Sequence, residues 1–384
     1  MRHKLVLVGP AYPYRGGNAL FMTSVYQILA PKYELEFVNF RVLYPQLLFP
    51  GTTQFDQSQH PIPKVPNRRV LHSYNPISWV KVGRLIGRLD PDLILMDWWH
   101  PYFGPCYWGV TTALPGPYRQ RVVIITENVI SHEANAVDTV LTRMGLRNAR
   151  AFITLSEAVR DALQPFADHR PIFVAGPPIP DFYYDIGTVP SQLEARQHLG
   201  IPSDAEVLLF FGYVRRYKGL DVLIEALAIA RQRRPRLRLL VAGEFYENEQ
   251  KYREQIAALG LEPYVTVANQ YIPNEAVGMY YRAADVVVLP YREATQSGIL
   301  ATAYTFQRPV IATAVGGLQE LVVEGKTGLI VPPEDPAALA GAIEQFFEIR
   351  ASVDFDRHIQ EFKEKQNPFL RFPSIVAQIL EEIE

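Results

Sequence analysis

The sequence predicts an α/β protein built on two doubly wound parallel sheets. Short runs of aliphatic and β-branched residues alternate with helical stretches, and this alternation occurs once in each half of the chain. Many of the runs are continuously apolar, which is typical of parallel strands that are covered on both faces. A Pro-rich stretch at residues 175–180 separates the halves and is typical of a hinge. We therefore expect two Rossmann-like domains that face one another across a cleft.

The composition fits an ordinary globular protein and excludes several classes of function. Of the 384 residues, 48% are hydrophobic and 20% are charged, and the formal charge is 38 − 40 = −2. This balance leaves no global basic field for nucleic acid. The single cysteine, Cys106, excludes an internal disulfide and a cysteine-cluster metal site, and it fits a reducing compartment. With no apolar run long enough for a signal peptide or a membrane span, we expect a cytoplasmic protein.

Twelve strands are predicted, six in each half. In the first half they are Lys4–Gly9, Glu34–Asn39, Asp92–Met96, Arg121–Thr126, Ala151–Leu155 and Pro171–Ala175. In the second half they are Glu206–Gly212, Leu237–Gly243, Tyr264–Ala268, Asp285–Pro290, Pro309–Thr313 and Gly328–Val331. Apolar residues at 220, 223, 224 and 227 have the spacing of one helical face, so a helix follows the seventh strand.

The loop after the first strand is the first candidate site. It contains Gly16 and Gly17 just before an apolar helix that is predicted to begin near Ala19. Two glycines at a helix N-terminus let backbone N–H groups approach an anion closely, although a tight turn that needs positive φ would also explain them. The loop is not G-x-G-x-x-G, so a dinucleotide fingerprint is absent.

The loop after the seventh strand is a stronger candidate because it is basic. Arg215 and Lys218 leave the carboxyl end of that strand, where open α/β sheets bind ligands. A diphosphate leaving group would need such charges, since it becomes more negative as its bond breaks. The alternative is a solvated basic loop.

The loop between the predicted strand Asp285–Pro290 and the next helix is polar. Thr295 or Ser297 can cap this helix, which leaves further N–H groups at its N-terminus near Gly298 for an anion. Each loop alone is a weak indication of a ligand site. Together, several anion-binding loops on two facing sheets indicate a shared ligand.

Three longer stretches resemble the family 4 glycosyltransferases of the GT-B fold. They are "FFGYVRRYKGLDVLIEAL" at 210–227, "YIPNEAVGMYYRAADVVVLPY" at 271–291 and "RPVIATAVGGLQELVVEGKTGLIVPPED" at 308–335. The resemblance implies a retaining, metal-independent sugar transfer that uses a nucleotide diphosphate sugar as co-substrate and no other cofactor. It implies an acceptor-binding domain at 1–178, a nucleotide-sugar domain at 179–365, and a last helix, 366–384, that crosses back to the first domain.

The resemblance also assigns residues of the second domain to the donor. Arg215 and Lys218 are similar to the pair that grips the diphosphate, and Ile272 lies in the segment that meets the base. The donor sugar would lie against Thr295, Gln296, Ser297 and Gly298. Counted from Gly298, the two glutamates of the family motif should stand at 295 and 303, where this chain has Thr295 and Ala303. Glu293 is the carboxylate that could substitute, and we take it as a catalytic candidate.

In the first domain, the candidate residues follow the ends of two strands. Glu127 and Asn128 stand where many members have a histidine, and they could contact the donor sugar or the acceptor. Glu127 could equally be a solvated loop carboxylate. His100 follows the strand Asp92–Met96 and should reach the same edge of the sheet, but a lone histidine is often structural.

A helix predicted at Pro76–Leu89 could bring the protein to a membrane. Trp79, Val82, Ile86 and Leu89 share one helical face, and Lys81, Arg84 and Arg88 share another. Such a helix beside an aromatic cluster suits docking on anionic lipid, which would place the protein on the inner face of the membrane beside a lipid-linked acceptor. The alternative is a core face backed by a solvated charged face.

The sequence thus favours a glycosyltransferase that acts on a carbohydrate or lipid-linked acceptor in bacterial surface polysaccharide or glycolipid synthesis. A second hypothesis, suggested by Thr295 and Ala303, is a catalytically inactive GT-B protein that binds sugar nucleotides or serves as a scaffold. A third is an epimerase or a phosphorylase on the same fold.

Overall fold

A computed structural model describes residues 2–45, 53–129, 136–186 and 189–383. Its contacts divide the chain into two compact units. The first unit comprises residues 1–56, 61–178 and 368–384, and the second comprises residues 57–60 and 179–367. The short segment Gln57–His60 thus joins the second unit, which the sequence did not predict. There, the Asn274 N–H donates to Ser58 Oγ at 3.0 Å.

The first unit is built on a parallel sheet of seven strands. The strand order is β3-β2-β1-β4-β5-β6-β7. The strands are β1 Lys4–Val8, β2 Glu34–Val42, β3 Arg68–His72, β4 Leu93–Trp98, β5 Val122–Thr126, β6 Ala151–Thr154 and β7 Ile172–Val174. The helices are α1 Gly17–Leu29, α2 Pro76–Leu89, α3 Gly104–Thr112, α4 Gly116–Arg119, α5 Ala136–Leu146 and α6 Glu157–Ala167, with a 3₁₀ turn at Pro101–Phe103.

The second unit is built on a parallel sheet of six strands. The strand order is β10-β9-β8-β11-β12-β13. The strands are β8 Glu206–Phe211, β9 Leu237–Ala242, β10 Val265–Ala268, β11 Val286–Leu289, β12 Val310–Thr313 and β13 Gly328–Val331. The helices are α7 Phe182–Asp185, α8 Gln192–His198, α9 Leu220–Ala230, α10 Glu249–Ala258, α11 Asn274–Ala283, α12 Gly298–Thr305, α13 Leu318–Leu321, α14 Pro336–Ile349 and α15 Phe355–Glu361, with a 3₁₀ turn at Arg216–Lys218.

The last helix, α16 Phe372–Ile383, belongs to the first unit. Its residues Phe372, Val376 and Ile379 are buried in a cluster that includes Leu7 of β1 and Met22 of α1. The helix therefore completes one face of the first sheet. This confirms the predicted return of the C-terminal helix to the first domain.

The predicted fold class is confirmed, since all twelve predicted strands are present and every pairing is parallel. The sequence missed β3 at the edge of the first sheet. This strand reads Arg-Arg-Val-Leu-His and only Leu71 in it is buried, so it carries no apolar run. Among the described residues, none of the helices combines the length and the apolar character needed to cross a bilayer.

Candidate functional site

The candidate site of the second unit lies where the strand order reverses. From β8, the order runs through β9 to β10 on one side and through β11 to β13 on the other. Because crossover connections leave the sheet in opposite directions at this point, a crevice forms outside the carboxyl ends of β8 and β11. The two loops that begin there are residues 212–219 and residues 290–297, and both were singled out in the sequence.

The loop after β8 is held tightly against the end of β11. Gly219 has φ 67° and immediately precedes α9, and a Cβ atom on it would lie 2.0 Å from the carbonyl oxygen of Pro290. Only glycine allows this approach and this backbone conformation together. The close contact at Gly219 also fixes the backbone of the preceding residue, Lys218, which is buried. Helix α9 therefore begins without a side-chain cap, so its first N–H groups remain available at the carboxyl edge.

Lys218 is a buried cation. The residue is 7% exposed, and no carboxylate of the described residues forms an ion pair with it. Its Nζ lies 5.5 Å from the centre of the Tyr291 ring. A Cβ atom on Gly212 would lie 3.2 Å from this Nζ and 3.0 Å from Cδ1 of Ile299, so the three residues meet at one point. Burial, followed by the nearby charge of Arg215, lowers the pKa of Lys218 to about 8.

Arg215 lies on the same loop but is exposed. Its guanidinium carbon is 5.1 Å from the centre of the Tyr246 ring, and Tyr246 in turn stacks on Tyr213 at 4.5 Å. Stacking on an aromatic face restrains a planar guanidinium without neutralising it. Arg215 and Lys218 thus supply two positive charges at the end of β8, one at the surface and one buried.

The loop after β11 contains a third basic residue, Arg292, which is committed to structural contacts. It donates to both carboxylate oxygens of Asp221 at 2.9 and 3.0 Å and to Glu334 at 2.9 Å. It also donates to the carbonyl oxygen of Arg216 at 2.8 Å. Arg292 therefore ties the two loops of the crevice together. The sequence analysis did not single it out, because spacing alone does not reveal which basic residue is paired internally.

The same loop ends in the N-terminus of α12. Ser297 caps this helix, since the Leu300 N–H donates to Ser297 Oγ at 3.4 Å. Gly298 is the first helical residue, is exposed, and has no atom within 4 Å of the position of a Cβ. Thr295 and Gln296 are half-buried and Glu293 is exposed. The structure thus gathers the predicted donor-site residues of this loop at a helix N-terminus, which suits an anion.

Two further positions of the second unit have apolar surroundings. Ile272 follows β10 and its side chain is buried in the cluster that also contains Tyr281. Ala303, the position of the second motif glutamate, is fully buried in the same cluster on α12. A charged side chain at 303 would have to be buried there, and Ala303 itself offers no hydrogen-bonding group.

The candidate residues of the first unit lie at the carboxyl ends of β1, β4 and β5. Gly16 and Gly17 are exposed at the start of α1, and Gly16 has φ 102°. Asn128 is half-buried. His100 caps the 3₁₀ turn that follows β4, since the Tyr102 N–H donates to its Nδ1 at 3.1 Å. This contact gives His100 a structural role whatever else it touches.

Glu127 is buried rather than solvated, in contrast to one of the two sequence interpretations. It is 6% exposed, and its N–H donates to the carbonyl oxygen of Trp98 at 2.8 Å. Asn18 Nδ2 donates to Glu127 Oε1 at 2.7 Å. Asp97 also faces Glu127 from the end of β4. The sequence analysis missed Asn18 and Asp97, although both lie beside residues that it named.

Comparison with known proteins shows what most of the second unit is similar to. The profile of the family described as "Glycosyl transferases group 1" matches residues 205–348. Over these residues the chain is similar to the group 1 glycosyltransferases. This confirms the family resemblance over residues 205–348, and the match includes both loops of the crevice.

Curated relatives of the group 1 domain share about a third of their residues with this chain. The D-inositol 3-phosphate glycosyltransferase of Corynebacterium urealyticum is 34% identical over 206 residues, which is 52% of this chain and 48% of that protein. The enzyme of the same name from Pseudarthrobacter chlorophenolicus is 34% identical over 210 residues, which is 53% of this chain and 49% of that protein. The chain thus spans about half the length of the curated relatives it matches.

Solved structures share the fold over the whole chain. HepE of Anabaena in complex with UDP-glucose has a TM-score of 0.73 at 20% identity, covering 99% of both chains. Sucrose-phosphate synthase from Thermosynechococcus elongatus has a TM-score of 0.68 at 20% identity, covering 99% of this chain and 100% of that one. These similarities confirm the predicted GT-B fold.

Proposed function

We propose that the protein transfers a sugar from a nucleotide diphosphate sugar to a hydroxyl acceptor with retention of configuration. The observation that carries this proposal is Lys218, a buried cation without a carboxylate partner in the described chain, at the crevice between β8 and β11. A folded protein gains nothing from burying an ammonium group alone, because desolvation disfavours its charge. A ligand with negative charge at this point would offset that cost.

The chemistry requires stabilisation of a leaving group. The acceptor oxygen forms a bond to the anomeric carbon as the bond from that carbon to the diphosphate breaks, on the same face of the sugar. The departing diphosphate takes the acceptor proton, so no protein base is demanded. Lys218, Arg215 and the N-terminal amides of α9 and α12 would stabilise the charge that develops, and they supply positive potential without a metal ion.

The remaining donor contacts follow from the same arrangement. We assign the base to the segment at Ile272 and the sugar to the loop of Glu293, Thr295, Gln296, Ser297 and Gly298. UDP-sugars are the first donors to test, since HepE, which shares the fold, was solved with UDP-glucose.

We assign the acceptor to the first unit, where Gly16, Gly17, Glu127, Asn128 and His100 lie at one edge of the sheet. A carbohydrate or lipid-linked acceptor in bacterial surface polysaccharide or glycolipid synthesis fits this assignment. The related fold of WaaG, whose structure is described as that of a glycosyltransferase involved in lipopolysaccharide biosynthesis, supports it.

A lipid-linked acceptor would require contact with a membrane surface, and α2 carries suitable residues. The face predicted from the sequence packs inward instead, with Val82 and Ile86 buried. Ile77 is 67% exposed and Val80 is 41% exposed, beside the exposed cation of Lys81. Exposed apolar groups beside cations suit anionic lipid. Co-sedimentation with vesicles containing anionic lipid, but not with neutral vesicles, would support this contact, and equal binding to both would contradict it.

The proposed activity is tested first with a panel of nucleotide sugars. A donor present at 100 times its Kd should stabilise the protein by about 2.7 kcal/mol. With that donor and a panel of acceptors, Lys218→Ala should lower turnover by on the order of 10²-fold, as removal of a charge-stabilising group does elsewhere. Arg216→Ala is the matched control, because Arg216 lies in the same loop and is exposed. Unchanged turnover in Lys218→Ala would refute the assignment.

A second candidate function is a catalytically inactive protein that binds sugar nucleotides. Ala303 favours it, since a fully buried alanine occupies the position of a motif glutamate. The same panel separates the two functions. Donor binding without turnover on any acceptor would support the inactive protein, whereas turnover would exclude it.

A further inference from the structure

Asp97 is a fully buried acid at the end of β4 in the first unit. The residue is 0% exposed, and no N–H or hydroxyl group of the described residues donates to either of its carboxyl oxygens. It lies beside Gly9 at the end of β1, where a Cβ atom would come within 3.0 Å of Asp97 Cβ. The glycine thus leaves room for the acidic side chain. A buried polar group that lacks a donor is costly, so it needs an explanation.

Strand register places Asp97 and Glu127 on the same face of the sheet. Asp97 lies opposite Ile125 of β5, and Glu127 follows Ile125 by two residues. Side chains two residues apart along an extended chain point the same way, so both carboxyl groups point to one face. The two groups interact directly.

Two carboxyl groups in contact inside a protein do not both ionise, because like charges repel strongly where water is excluded. Glu127 accepts a hydrogen bond from Asn18 Nδ2, which favours its charged form. Asp97 has no such donor. Burial, followed by the charge of Glu127, raises the pKa of Asp97 well above its ordinary value.

Among the described residues, the other titratable groups that face Asp97 are two buried phenols. Tyr44 lies in the loop after β2, and Tyr107 lies on α3 and donates its hydroxyl to the carbonyl oxygen of Asp97. Burial raises the pKa of both phenols, so both stay neutral. No cation of the described residues pairs with Asp97. The proton that relieves the repulsion therefore resides on an acid.

Asn18 extends this contact to the surface. It is the second residue of α1, next to the exposed Gly17, and the residue before the helix, Gly16, provides no side-chain cap. Because its Nδ2 is directed to Glu127, its Oδ1 is the side-chain atom left to accept from a ligand. The uncapped N–H groups of the first turn of α1 are donors beside it. A hydroxyl group of a ligand can donate to Asn18 Oδ1 and accept from one of these N–H groups, so it would satisfy both sites.

We propose that Asp97 stays protonated and donates to the carboxylate of Glu127, so that Asp97, Glu127 and Asn18 form a fixed row that binds a hydroxyl of an uncharged polyol. Asp97 is then a positioning residue, which acts on the ligand through Glu127 and Asn18. The polyol is the acceptor class of the proposed function, on which this part of the proposal rests. The protonation of Asp97 does not depend on it.

The protonation is tested by infrared spectroscopy at neutral pH on the full chain. The wild-type protein should show the carbonyl band of a protonated carboxylic acid, and this band should be absent from Asp97→Asn. Asp92→Asn is the matched control, since Asp92 is a half-exposed acid at the other end of the same strand and its removal should leave the band in place. A difference spectrum that lacks the acid band overturns the proposal.

The positioning role is tested with myo-inositol as an uncharged polyol probe, titrated in the presence of UDP. Asp97→Ala should weaken polyol binding about tenfold, as expected for a lost hydrogen bond to a charged group. Asp97→Asn should rescue it, because the amide can still donate to Glu127. Loss of rescue, or a wild-type protein that binds no polyol, overturns the hydroxyl site. Failure of UDP to bind, with polyol binding intact, instead counts against the proposed donor site alone.

Discussion

Replacing Lys218 by methionine should make the protein more stable and less functional at the same time. The pKa of the buried ammonium is lowered from 10.5 to about 8, chiefly by burial. The unfolded chain therefore holds this proton more tightly than the native protein does. The difference between the two pKa values corresponds to a free energy of about 3 kcal/mol that favours unfolding at neutral pH.

The sign of the pH dependence follows directly. Below pH 8 both states carry the proton on Lys218, and the full cost of the buried charge is present. Between pH 8 and pH 10.5 the native state loses the proton first, so this cost shrinks as the pH rises. Lys218→Met removes the charge at every pH. Its advantage over the wild-type protein should thus be about 3 kcal/mol at pH 7 and should largely vanish above pH 10.5.

Urea denaturation of both proteins at pH 7 and at pH 10.5 measures this difference. Arg216→Met, which removes an exposed charge from the same loop, is the control and should change stability by less than about 0.5 kcal/mol. A difference between Lys218→Met and wild type that is the same at both pH values would refute the reasoning. A saturating nucleotide sugar should stabilise the wild-type protein more than the methionine variant, because the diphosphate charge relieves the same cost.

Three further predictions concern residues in or beside the loops that form the crevice. Arg292→Ala should destabilise the protein by about 3 kcal/mol in urea denaturation, because it leaves the half-buried Asp221 without its bidentate partner; a loss below about 0.5 kcal/mol would show that this pair contributes no more than a surface contact. Ser297→Ala should cost about 1 kcal/mol by removing the cap of α12, whereas Ser297→Gly should cost a few tenths, and equal losses would argue against capping. Gly316→Ala should lower Tm sharply, since its φ is 45° and a Cβ would overlap the carbonyl oxygen of Ala294, while Gly298→Ala, with open space around the Cβ, should leave Tm nearly unchanged.

Much of the fold could be predicted because the strands are continuously apolar. Strands buried on both faces give runs such as Val-Val-Ile-Ile-Thr in β5, and these runs are visible without any tertiary information. Helix α2 was predicted with its observed bounds, since Asn75 caps it and Pro76 begins it. The edge strand β3 was missed because three of its five residues are exposed to solvent. Its identity as a strand depends on the neighbouring β2 rather than on its own sequence.

The candidate site was less predictable, because charge partners are decided in three dimensions. Arg215, Lys218 and Arg292 are all basic residues at strand ends, and spacing alone does not reveal which of them is paired internally. The structure separates them: Arg292 is paired with two carboxylates, Arg215 stacks at the surface, and Lys218 is buried without a counter-ion among the described residues. Asp97 was missed for the same reason, since an acid at a strand end is usually solvated.

The position of α16 has a consequence for how this protein matures during synthesis. Phe372, Val376 and Ile379 are translated after the entire second unit, yet they fill the core beneath α1, which leaves the ribosome first. Until α16 has been synthesised, the first unit therefore lacks the residues that cover β1 and α1 on this face. A nascent chain that stalls before residue 368 would keep this apolar surface exposed. Chaperones would therefore bind it, and proteases would cleave it, as an incompletely folded chain.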